Sequence, residues 1–246
     1  MLGFVLIASV LFSAEPYQSY VLNTKAPIWN VEARDVTGDG KAELFAVCCD
    51  EKSCPLKKFV AVFVAGEAGG YPSEASFTID LAPSMSALFF AEMNGKVPLE
   101  LVAADAEGAT VYEFSNGSLA AGASVRFASL FPSGVKHPMF LKNVAMDLNG
   151  DGVDEWIVPV PCGYEVRTPE KSLSRVVCDV ASDISDSEGV YITHRLPSCH
   201  SFSVSGETQK CLAFLGDEYA DFAHGANWAE TSRFKIPLNY EDKWQA

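Results

Sequence analysis

Asp35-Val-Thr37-Gly-Asp39-Gly-Lys41-Ala-Glu43-Leu44 and Asp147-Leu-Asn149-Gly-Asp151-Gly-Val153-Asp-Glu155-Trp156 are one motif written twice. Between them, Glu92-Met-Asn-Gly-Lys96-Val-Pro-Leu-Glu100-Leu101 aligns with both without a gap. The three starts lie 57 and then 55 residues apart, and a weaker copy, Ser203-Val-Ser-Gly-Glu207, follows 56 residues later. A period of this length signals a repeat architecture, in which one supersecondary unit stacks on the next.

Working outward from the motifs, every unit reads as strands. Trp29-Asn-Val-Glu-Ala-Arg-Asp35 alternates apolar and polar residues, the pattern of a half-buried strand, and Leu44-Phe-Ala-Val-Cys-Cys49 follows as an apolar run. Leu88–Ala91 and Leu101–Ala104 flank the second motif in the same way, and Leu141–Met146 and Trp156–Val160 flank the third. Phe59–Val64 and Ser76–Leu81 close the first unit; Val125–Leu130, Arg175–Val180 and Arg233–Leu238 are the closing runs of the later ones. Asn116-Gly117 is a hairpin turn signal. Four short strands per unit predict an all-β fold, a β-propeller of four-stranded blades with about four repeats present. Tyr20-Val-Leu22 reads as an outermost strand without its own blade, able to complete the last one. Lys243-Trp244 matches Ile28-Trp29, six residues before Asp35, so the expectation is a piece of a longer, six- to eight-bladed propeller.

The motif carries chemistry. Calcium takes six to eight oxygen ligands, with carboxylates to offset its charge. The first loop offers Asp35, Thr37, Asp39 and Glu43 at positions 1, 3, 5 and 9, and the Lys41 carbonyl at position 7. The third offers Asp147, Asn149, Asp151 and Glu155, with the Val153 carbonyl. An EF-hand starts similarly but needs a bidentate Glu at position 12, where this chain has Ala46 and Val158 inside strand-like runs. In the second copy Lys96 takes the central acid's place between Glu92 and Glu100, so an ammonium stands in for the ion and no calcium is expected there. The fourth copy keeps Glu207 alone, with Ser203 and Ser205 for the acid and amide, and is likewise expected to be metal-free.

DVTGDGKAEL and DLNGDGVDEW resemble the FG-GAP/VCBS repeats of integrin α-subunit-like propellers. The resemblance runs over roughly residues 25–240, with the full motif in two copies. It implies calcium bound between the first two strands of a blade, in domains that are mostly secreted or surface-exposed binding modules.

The chain's 246 residues carry 18 Lys and Arg against 32 Asp and Glu, a net charge of −14, the wrong sign for binding a phosphate backbone. Met1–Ala14 is apolar but too short to span a bilayer, which takes about 20 residues. It reads as the apolar part of a secretory signal peptide, although no Lys or Arg precedes it; the alternative is a buried first strand. Residues 15–246 are then the propeller repeats, and no other run reaches membrane length. Seven cysteines suit an exported protein, with Cys49–Cys54, Cys162–Cys178 and Cys199–Cys211 as pairs close in sequence, or else as buried thiols.

Competing sites read as ordinary structure. His194 and His200 with Cys199, and Asp217, Glu218 and Asp221 near His224, lack a catalytic signature; His137 stands alone. Phe89, Phe90, Trp156 and Trp228 are expected to pack between blades, and Asn116-Gly-Ser118 fits a glycosylation acceptor. The leading expectation is a secreted, cell-surface or periplasmic calcium-binding propeller that acts in binding, adhesion or assembly toward a protein or glycan, without catalysis of its own. The alternative is the propeller domain of an extracellular polysaccharide-acting enzyme.

Overall fold

The runs on either side of each motif become the first two strands of a sheet. The computed structural model describes residues 5–6, 19–67, 69–95, 98–115, 117–177, 198–204, 207–215, 219–224 and 230–235. A two-stranded pair, β1 (Val5–Leu6) and β2 (Tyr20–Val21), precedes the repeats. The first sheet is β3 (Ile28–Arg34), β4 (Glu43–Asp50), β5 (Lys57–Phe63) and β6 (Phe77–Leu81). The second is β7 (Ala87–Ala91), β8 (Glu100–Asp105), β9 (Gly108–Ser115) and β10 (Ser118–Arg126), with β11 (Met139–Phe140) added along β7. β12 (Ala145–Met146), β13 (Glu155–Val160), β14 (Gly163–Arg167) and β15 (Ser172–Val177) make the third. The fourth is β16 (Ser198–Val204), β17 (Glu207–Leu215), β18 (Tyr219–His224) and β19 (Glu230–Lys235).

All four sheets are antiparallel meanders in chain order, and the described residues contain no helix. The exception to antiparallel pairing is β11, which runs parallel to β7. The predicted closing runs Phe59–Val64 and Ser76–Leu81 fall on β5 and β6, and Arg175–Val177 and Arg233–Lys235 on β15 and β19, with residues 178–180 and 236–238 outside the described residues. Of Val125–Leu130 only Val125 and Arg126 belong to the fourth strand of the second sheet. That strand is β10, whose first residue, Ser118, pairs with Ser115. Phe127 and Ser129 instead donate their amides to Glu107 O and Ala106 O, folding back over the β8–β9 turn. Tyr20-Val21 also departs from expectation: it pairs with Val5–Leu6 rather than with a repeat sheet.

The second strand of each of the first three sheets is the buried one. Strands β8 and β13 are buried along their whole length and β4 from Glu43 to Cys49, which requires cover on both faces. Alternate side chains show what covers them. Phe45 and Val47 of β4 pack with Leu88, Leu101 and Ala103 of the second sheet. The opposite face of β8, Val102 and Ala104, packs with Trp156 and Val158 of β13. Ile157, on the other face of β13, packs with Leu212 and Ala223 of the fourth sheet. The sheets therefore stack face to face in chain order. Aromatic residues fill the seams as expected: Phe89 meets Trp156 edge-on at 5.4 Å, and Phe90 meets Phe45 at 4.7 Å. Each such side chain removed from water contributes about 1.5–3 kcal/mol.

A connection of 18 residues between β10 and β12 crosses one end of the first two sheets before β11 runs along the edge of β7. Phe140 N donates to Asn30 Oδ1 at 3.1 Å, and the Phe140 ring stacks on Phe90 at 5.6 Å. Lys58 fixes the other end. Its ammonium is buried and donates to Pro83 O at 2.5 Å, Val135 O at 2.7 Å and Met85 O at 3.1 Å. Among the described residues no carboxylate lies within ion-pair distance of it. Burial pulls its pKa below the ordinary lysine value. Lys58→Met keeps the stem but strips three carbonyls of their donor, and the expected loss is about 2 kcal/mol in a urea unfolding series at neutral pH. Because burial lowers the folded pKa, protonation of Lys58 opposes folding. The wild type therefore gains stability as pH rises from the folded value toward the ordinary lysine value near 10.5, and the mutational loss should grow there. A loss that is constant with pH up to that value would count against the burial of a charged ammonium.

Candidate metal centre

The three motif copies occupy equivalent places, between the first and second strands of their sheets. Ser203 and Glu207 bracket the corresponding turn of the fourth sheet, whose central residues 205–206 lie outside the described residues. Each of the first three loops closes on the same frame. Glu43 Oε2 accepts from Val36 N at 3.0 Å, Glu100 Oε2 from Met93 N at 3.2 Å, and Glu155 Oε2 from Leu148 N at 2.8 Å. The position-9 acid thus ties back to the position-2 amide in each of these three loops. These three glutamates are 1%, 6% and 2% exposed, and burial raises the pKa of each.

The position-1 acid wraps the tip of the loop. Asp35 accepts from Gly38 N at 2.7 Å and Gly40 N at 2.8 Å; Asp147 accepts from Gly150 N at 2.6 Å and Gly152 N at 3.1 Å. All four glycines have φ between 77° and 85°, a left-handed backbone that side chains disfavour. Position 5 braces position 7: Asp39 Oδ1 takes Lys41 N at 2.9 Å, and Asp151 Oδ1 takes Val153 N at 2.8 Å. Thr37 Oγ1 lies 3.5 Å from Asp35 Oδ1. In the third loop the Asn149 amide nitrogen donates to Asp151 Oδ2 at 2.9 Å and to Glu155 Oε1 at 2.7 Å. Two carboxylates therefore converge on one donor. In the second loop Asn94 Nδ2 reaches Glu100 Oε1 at 2.9 Å, while Lys96 lies outside the described residues.

Neighbouring loops also touch. Leu99 N of the second loop donates to Val36 O of the first at 3.0 Å. Asp154 N of the third donates to Glu92 O at 2.7 Å, and Glu92 N returns a bond to Asp154 Oδ2 at 2.8 Å. Position 8 of one loop thus bonds the loop before it twice in succession, at position 2 in the first case and at position 1 in the second. The first loop is braced differently: Tyr71 Oη donates to Ala42 O at 2.7 Å, and Lys41 Nζ to Gly66 O at 3.2 Å and Glu67 O at 3.0 Å.

No protein-family model matches the chain, and no curated protein matches it by sequence.

The remaining candidates are scattered. Cys48, Cys49, Cys54 and Cys162 are free thiols, so Cys49 and Cys54 do not close the loop between them. Burial pushes the Cys48 and Cys49 thiols up to about 12 and about 11, far from a reactive thiolate. His137 stacks on Trp29 at 3.5 Å and sits 3.2 Å from Glu51 Oε1, which also takes Lys136 at 2.7 Å. Cys178, His194, Asp217, Glu218, Trp228, Asn116 and the side chains of Cys199, His200, Asp221 and His224 lie outside the described residues.

What the sequence reading missed is a second glycine signature. Gly108 and Gly163 each stand eight residues past the loop glutamate, opening β9 and β14. Only the equal offset from Glu100 and Glu155 could have revealed it.

Glu100 offers a test of the frame without an ion. Its folded pKa is raised above the unfolded carboxyl value near 4.5, chiefly by burial. The stability this group contributes is present at and below that value and is lost as pH rises through the folded pKa. Glu100→Gln stays neutral throughout, so its melting temperature is expected to fall less than the wild type's between pH 4.5 and 7. Parallel pH profiles would overturn the assignment.

Proposed function

We propose that the chain is a calcium-binding β-propeller segment, exported, that serves as a binding or assembly module in which the ion is structural. What carries this reading is the loop row: one oxygen-rich frame, repeated at the same end of successive stacked sheets, each loop bonded to the next. The stacking of four-stranded meanders in chain order supports blades, as does the closeness of the first strands, with β11 bridging β7 and the Asn30 side chain of β3.

The donor set suits a hard cation. Asp35, Thr37, Asp39, Glu43 and the Lys41 carbonyl would hold one ion; Asp147, Asn149, Asp151, Glu155 and the Val153 carbonyl would hold another. All are oxygen donors, three of them carboxylates in each loop. Among the described residues no three Asp, Glu, His or Cys side chains already surround a common point. In the third loop the place where two carboxylates meet is held by the Asn149 N–H donor. The oxygen of that side chain accepts from Asp151 N at 2.8 Å, so turning the amide toward a cation gives up that bond and exchanges a weak positive end for the ion. When bound, calcium would tie the first strand of a blade to its second by neutralising the buried acid at the loop base.

Equilibrium dialysis against calcium, read by atomic emission, tests the count. Two ions per chain are expected. Three would show that the second loop binds as well, and none would sink the proposal.

A further inference from the structure

The first and third loops match in their ligand residues but not in their surroundings, and the difference lies at positions 7 and 8. In the first loop position 7 is Lys41, whose ammonium is anchored close by on Gly66 O and Glu67 O, and position 8 is Ala42. In the third, position 7 is Val153 and position 8 is Asp154. Asp154 is half-buried, and its carboxylate is held against the second loop through Glu92 N while its own amide bonds Glu92 O. It faces Asp147 and Glu92, with Arg34 as the cationic neighbour. The third loop thus carries four acids against the first loop's three, and it lacks the first loop's lysine. The reciprocal clamp on Glu92 also fixes the backbone between Val153 and Glu155, two donors of the same set.

From this asymmetry, and resting on the calcium reading above, we propose that the two cation sites are unequal. The third loop fills first, and Asp154 is the positioning residue that sets the order. It acts by adding a held negative charge beside the ion and by locking the chain between two ligands through the ion-free second loop. With Lys41 set against the first loop's three acids and Arg34 against the third loop's four, the net difference is one charge. Beside a divalent ion in a screened surface setting, that corresponds to a preference on the order of tenfold.

The test is calorimetric titration of calcium into the chelator-treated full chain. The wild type should give two steps about tenfold apart. Asp147→Asn should abolish the tighter step and Asp35→Asn the weaker one. Asp154→Asn still accepts from Glu92 N but carries no charge, so it should bring the tighter step toward the weaker while leaving the weaker step unchanged. Asp154→Glu should recover part of the gap. Two equal sites, or loss of the tighter step in Asp35→Asn, would overturn the inference while leaving calcium binding intact. Absence of any calcium heat would overturn both. Should Asp154→Asn fail to fold, the wild type and the two ligand variants still decide the order.

Discussion

Melted in excess chelator, the full chain is expected to unfold about 10–20 °C lower than in millimolar calcium, and to recover when calcium is restored. The size follows from linkage. An ion present at one hundred times its dissociation constant stabilises the state that binds it by about 2.7 kcal/mol, so two ions contribute about 5 kcal/mol. For a chain of this length each kcal/mol moves the midpoint by about 2–4 °C. The effect is expected on folding rather than on one loop because of where the acids lie. Glu43 and Glu155 are buried at the bases of their loops beside further acids, and burial raises the pKa of both. A divalent ion answers that charge where protein hydrogen bonds only divide it. The double variant Asp35→Asn, Asp147→Asn should melt at the chelator temperature whether or not calcium is present. Identical wild-type curves with and without chelator would remove the structural role for the ion.

The second large effect needs no ligand. At Gly108 (φ 157°) an added Cβ would lie 2.1 Å from Val125 O, and at Gly163 (φ 147°) 2.0 Å from Val176 O. Both obstacles are main-chain carbonyls of the neighbouring fourth strand, next to the residues that pair with the glycines, Arg126 and Val177. Backbone cannot swing aside as a flexible side chain does. Either the third strand pulls away, giving up sheet hydrogen bonds, or β10 or β15 moves. Gly163→Ala is therefore expected to cost about 3–5 kcal/mol, read from the shift of the urea midpoint at unchanged slope. Gly117→Ala serves as the control. Its φ is 77°, but nothing lies within 4 Å of the added carbon, so its loss should be about 1 kcal/mol. Equal losses at the two positions would show that backbone conformation alone, and not the close approach of the neighbouring strand, explains the glycine.

Much of this was legible in the residues because two signals coincide. Alternation and apolar runs mark the strands, and the acidic Gly-rich motif marks the turn between the first and second strand of each unit. Periodicity even gave the fourth sheet, whose motif is nearly erased. The misses have physical causes. Lys58 sits in a run that reads as solvent-facing at that residue; it is buried because carbonyls from residues 83, 85 and 135 gather around it, and no local pattern records that. β11 is two residues of parallel pairing inside a stretch containing Pro132, Gly134 and Pro138, which reads as loop. The sequence places the closing strand of the second sheet too late, at Val125–Leu130, whose residues past Arg126 are more apolar than Ser118–Arg126. Phe127 and Phe131 are buried as seam filler, while β10 is an exposed outer strand. The inequality of the two loops lay in plain view as Lys41 against Val153 and Ala42 against Asp154. Its meaning depends on Glu92 being adjacent, which only the fold reveals.

Because β8 and β13 owe their burial to the sheets on either side, neither the second nor the third sheet is a self-sufficient folding unit. Cut out alone, each would present two greasy surfaces to water. Order must then spread from sheet to sheet along the chain, as in other stacked repeats. Fragments ending between units should accumulate as sticky, partly structured species rather than as miniature domains, so a protease that nicks residues 82–86 should trigger precipitation instead of releasing a soluble first sheet.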